Sequence, residues 1–69
     1  MKKKAAEWSR LSGIEIIDPD GWDRRGEHFD ADWNKEITLD EFYQKAMRST
    51  TRGFHGSIQE VRRIVFKNL

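Results

Sequence analysis

Thr38 is followed three positions later by Glu41, and the segment they open, "TLDEFYQKAM", places Leu39, Phe42, Tyr43, Ala46 and Met47 at i, i+3, i+4, i+7 and i+8. The Thr-x-x-Glu pair is a capping box: the hydroxyl and the carboxylate each satisfy a backbone amide that the first helical turn leaves without a partner. The apolar spacing that follows is the broad stripe of a helix packed on a core. A chain that starts a helix so sharply, with one apolar side, must supply other elements to cover that side. The pattern predicts a helix over 39–50, ended by "STTRGFHG" with its β-branched threonines and two glycines.

The covering elements are legible on either side. Ala5, Trp8 and Leu11 recur at helical spacing ahead of Gly13, a residue suited to a left-handed cap, so a helix is expected over 3–12. "GIEIID" packs three isoleucines into four positions and reads as a strand over 14–17, with Ile14 and Ile16 on one face and Glu15 and Ile17 on the other. "DPDGW" then specifies a tight turn through Pro19 and Gly21. Residues 23–37 hold no sustained period. An extended "EHFDADW" would set His28, Asp30 and Asp32 opposite Phe29 and Trp33, which places a second strand somewhere within 27–37. Ser57 caps a last helix over 58–67, with Ile58, Val61, Ile64, Val65 and Leu69 along one side and Phe66 off that stripe.

These elements make a mostly helical α+β fold: three helices with a short strand or hairpin, in one small domain spanning 1–69. Its core is expected to draw on Trp8, Leu11, Ile14, Ile16, Leu39, Phe42, Ala46, Val61 and Ile64. At 69 residues such a core only just outweighs the entropy lost on folding. The chain has no cysteine, hence no disulfide framework and no thiolate metal site. Its longest apolar runs, at 16–17 and 64–66, fall far short of the roughly 20 residues of a membrane span. "MKKKAAEWSR" begins like a signal peptide, but Glu7 and Arg10 interrupt the apolar region such a peptide needs, so a cytoplasmic location is expected.

The formal charge is only +1, yet the charges are segregated. Residues 1–14 carry four Lys/Arg against one Glu, residues 15–41 carry ten Asp/Glu against three Lys/Arg, and residues 42–69 carry six Lys/Arg against one Glu. Attraction between an acidic middle and basic ends accounts for this within one compact fold. Separate acidic and basic faces able to steer a partner are the other account.

The acidic middle contains a near match to a calcium loop. In "DADWNKEITLDE", residues 30–41, Asp30, Asp32 and Asn34 stand at positions one, three and five, Glu36 at the backbone-carbonyl position, and Glu41 at the bidentate twelfth. Position six is Lys35, where the sharp turn calls for glycine, and "WDRRGEHF" before the loop lacks the apolar stripe of an entering helix. The capping box already explains Thr38 and Glu41. Catalytic readings fare worse: the carboxylates of "DPDGWDRR" have no nucleophile, metal triad or phosphate loop beside them, and His28 and His55 are isolated. No enzymatic activity and no cofactor are expected.

Two binding readings compete. Arg48, Arg52, Arg62, Arg63 and Lys67, with the lysines at 2–4 and the rings of Phe54 and His55, could meet phosphates and unpaired bases. The connection between the last two helices is longer than that of a helix-turn-helix, and the net charge is nearly zero. Against this, three tryptophans, four phenylalanines and one tyrosine exceed what so small a core readily encloses. Trp22 with Arg24 and Arg25, beside a rigid turn, has the composition of a protein-interface hot spot.

The combination of "IIDPDGWDR", "EITLDEF" and "RSTT" resembles a group of short proteins encoded by bacteriophages and prophages, with the likeness covering about residues 14–51. Those sequences share the Asp-Pro-Asp-Gly turn followed by Trp or Phe, the Ile-Thr-x-x-Glu-Phe helix start and the Ser-Thr pair at the helix end. The resemblance implies a small accessory protein in the host cytoplasm, with no catalytic residue. The expected function is therefore a non-enzymatic interaction module acting on a host or phage protein. Nucleic-acid binding through the basic C-terminal helices is the alternative, and a calcium loop the third reading.

Overall fold

The structure is a computed structural model that describes residues 1–18 and 35–69. Among the described residues, β1 (Lys3–Lys4) leads into α1 (Ala5–Ser12), followed by β2 (Glu15–Asp18), β3 (Glu36–Ile37), α2 (Leu39–Arg48), β4 (Thr50–Arg52) and α3 (Ile58–Asn68). The fold is mixed α+β, with three helices and two small antiparallel strand pairs among these residues. No helix among them is long and apolar enough to cross a membrane.

Each helix begins or ends where its local chemistry requires. Gly13 closes α1 in the left-handed region at φ 78°, with its amide donating to the Ser9 carbonyl at 2.9 Å. The capping box at α2 is complete: the Glu41 amide donates to Thr38 Oγ1 at 3.1 Å, and the Thr38 amide donates to Glu41 Oε1 at 3.2 Å. Ser57 Oγ accepts from the Glu60 amide at 3.2 Å to start α3.

The strands correct two expected helix boundaries. Lys3 and Lys4 are not helical; they pair with Ile37 and Glu36, which turns the N-terminus into a strand because β3 offers backbone partners to it. The helix expected to run to residue 50 stops at Arg48, and Thr50–Arg52 pairs antiparallel with β2: Glu15 opposite Arg52, Ile16 opposite Thr51 and Asp18 opposite Thr50. The β-branched threonines that end α2 thus begin a strand. Ile17 is the extra residue of a bulge between Ile16 and Asp18. Of the strand expected within 27–37, β3 is the described part; residues 27–34 lie outside the described residues.

Among the described residues the buried apolar side chains form one cluster. Trp8, Leu11, Ile14, Phe42, Ala46 and Val61 are buried as the spacing predicts. Ile16 and Leu39, expected inside, are half-buried against the cluster, and Ile64 is half-buried as well. Ala5, Ile37, Tyr43 and Val65 complete the core in their stead. The α3 contribution turns by one position because Val65, not Ile64, follows Val61 at i+4 on the side facing α1.

Polar bonds lock the layers together. Trp8 Nε1 donates to the Ile37 carbonyl at 2.7 Å inside the core, joining α1 to β3. Asn68 Nδ2 donates to the Leu11 carbonyl at 3.1 Å, so the end of α3 satisfies an acceptor in the last turn of α1. Tyr43 places its hydroxyl on the Gly56 carbonyl and stacks its ring on Phe54, centroids 5.6 Å apart, which holds the segment between β4 and α3 against α2.

Candidate interaction surface

An apolar groove of about 230 Å³ opens where the N-terminus, the start of α2 and the end of α3 meet. Its floor is Trp8 and Val65, both buried; its walls are Met1, Leu39 and Phe66. The β1–β3 pairing brings Met1 there, the capping box sets Leu39 at the first helical position of α2, and α3 carries Phe66 one step off its buried stripe. Phe66 is 69% exposed and Met1 74% exposed, so two large apolar side chains stand in water beside an apolar hollow. The rim is charged: Arg62 Nη2 donates to Asp40 Oδ1 at 2.8 Å. Arg62 and Phe66 are four residues apart on α3 and share a face. A hollow of this size is below the roughly 300 Å³ at which small-molecule sites begin, and suits one or two apolar side chains.

The groove was not anticipated from the sequence. Its one signal there was Phe66 falling off the α3 stripe; Met1 and Leu39 reach it only through strand pairing and helix docking.

The basic residues expected on the C-terminal half are scattered in their engagements. Arg62 is held by Asp40, Arg63 Nη2 lies 2.5 Å from Glu60 Oε2, and Arg52 Nη1 lies 3.8 Å from Glu15 Oε2 across the β2–β4 pair. Arg48 ends α2, and Lys67 lies in the last turn of α3 on the same face as Arg63, four residues on. His55 is exposed and Phe54 is stacked on Tyr43, which withdraws that ring from base stacking.

Of the calcium-loop positions, Asp30, Asp32 and Asn34 lie outside the described residues, as do Trp22, Arg24, Arg25 and His28. Glu36 pairs its backbone with Lys4 in the β1–β3 ladder. The Glu41 carboxylate is committed to the cap. The Thr38 amide, and after it the Thr38 hydroxyl, hold its pKa below the ordinary value, with smaller help from the charges of Lys2 and Lys35. Those two lysines would oppose a dication at the same oxygens. Among the described residues no three His, Asp or Glu side chains converge as metal ligands.

Comparison with protein-family models, with curated proteins and with solved structures finds no match to this chain.

Proposed function

We propose that this protein is a non-enzymatic interaction module that docks on another protein through an apolar anchor. The observation that carries the reading is Phe66, 69% exposed at the edge of an apolar groove whose floor is the buried core. Exposing a phenylalanine costs free energy in water, and a neighbouring hollow sized for a side chain is the geometry in which interface anchors pair. The charged rim of Asp40 and Arg62 orients the encounter more than it binds. Trp22, with Arg24 and Arg25 beside it, is a second anchor on sequence grounds. The resemblance of residues 14–51 to short phage and prophage proteins supports an accessory role in the host cytoplasm, acting on a host or phage protein.

Nucleic-acid binding finds less support, since three of its five candidate cations already meet carboxylates. The test compares the wild type, Phe66→Ser and Trp22→Ala, each first shown to keep its circular dichroism spectrum, as baits in host-cell lysate. A captured protein is then purified and titrated. Weakening of about tenfold or more on Phe66→Ser is expected. Equal binding by all three chains sinks the reading. DNA or RNA affinity that falls linearly with salt on logarithmic axes, and is lost in Arg62→Ala with Arg63→Ala, transfers the function to the nucleic-acid class.

A further inference from the structure

We infer that the occupant of the Phe66 groove is a second copy of this chain, bound about a twofold axis. The inference rests on the reading above that the groove receives a protein side chain, and it names that protein.

Self-complementarity is the first argument. In a twofold interface the same patch faces itself, so whatever projects must find its own recess on the partner. Here projection and recess belong to one patch: the exposed ring of Phe66 stands at the mouth of a hollow of about 230 Å³ lined by Leu39 and Val65. Two such surfaces, rotated by half a turn, place each ring over the other copy's hollow.

The second argument is charge. Asp40 and Arg62 sit on the same rim with their charged atoms 2.8 Å apart. A partner surface of one charge sign would meet one attraction and one repulsion there. The identical surface, rotated, brings Arg62 of each copy toward Asp40 of the other and closes a ring of four alternating charges. Size acts in the same direction, because a 69-residue chain buries a smaller fraction of its surface than a larger one and gains proportionately more from covering Phe66 and Met1.

Sedimentation of the full chain over a concentration series tests the inference. The wild type is expected to dimerise, and Phe66→Ser to weaken the dimer about tenfold or more with its circular dichroism spectrum unchanged. A charge-exchange mixture separates contacts between copies from contacts within one. Asp40→Arg presents two positive rims and Arg62→Asp two negative ones, so each alone should dimerise worse than the wild type. Their equimolar mixture should recover the dimer, which no intrachain pair can bring about. A wild type monomeric up to about 1 mM overturns the inference, as does a dimer indifferent to Phe66→Ser or a mixture that recovers nothing. A monomer that still binds a different purified protein through Phe66 removes the second copy and leaves the docking reading standing. Indifference to Phe66 in both experiments removes both.

Discussion

The indole of Trp8 donates a 2.7 Å hydrogen bond to the carbonyl of Ile37, 29 positions along the chain, with both residues inside the core. One side chain on α1 thereby satisfies a strand acceptor that water does not reach, and the same ring floors the groove. Replacing it with phenylalanine keeps an aromatic body but leaves the Ile37 carbonyl without this donor. An unsatisfied buried acceptor costs about 1–3 kcal/mol. Trp8→Phe is expected to lose at least that much in a urea titration; a loss near zero would show that water replaces the bond.

Gly53 and Gly13 make a paired test of backbone space. Both adopt φ 78°, which costs a residue with a Cβ about 1–2 kcal/mol. A Cβ on Gly13 would meet nothing within 4 Å, whereas one on Gly53 would lie 2.4 Å from the Gly13 carbonyl oxygen. Gly53→Ala must therefore move β4 away from the end of α1, and should destabilise clearly more than Gly13→Ala. Equal midpoints for the two variants would place the close approach in error.

The capping box predicts an acid dependence. The Glu41 carboxyl, held below its ordinary value of 4.5 chiefly by the Thr38 amide, adds stability that is present above 4.5 and lost as pH falls through its folded-state value. Thr38→Ala should cost about 1 kcal/mol at neutral pH. Glu41→Gln should flatten the part of the melting-temperature profile that lies in acid below 4.5. A variant profile parallel to the wild type would assign that acid sensitivity to other carboxylates.

Neighbouring residues on α3 should separate stability from binding. Val65 is 2% exposed, and Val65→Ala should cost about 2 kcal/mol through lost burial and the cavity left behind. Phe66→Ser should change stability by no more than about 0.5 kcal/mol, because the ring contributes little to the isolated fold. Chemical denaturation of the monomeric chain at low concentration checks both. A large loss for Phe66→Ser would mean that the ring serves the core and not a partner.

The starts of α2 and α3 and the end of α1 were readable because they are settled within four residues: Thr38 and Glu41, Ser57 and Glu60, and Gly13 each find their partners in the adjacent turn. Lys3–Lys4 and Thr50–Arg52 were not readable as strands, since a two- or three-residue strand has no period of its own and exists only by virtue of the backbone opposite it. The same limit explains Ile64 and Val65. Both fit an apolar helical stripe, and the angle at which α3 lies on α1 selects between them.

By itself the sequence determined that, among the described residues, three amphipathic helices pack around a small α+β core, because capping, spacing and β-branching act over short separations. Tertiary structure alone decided which rings stay outside. Whether Phe66, Met1 and Leu39 surround a hollow, and whether Asp40 reaches Arg62, depends on how three separate elements dock, and docking is set by the packing of side chains far apart in the chain.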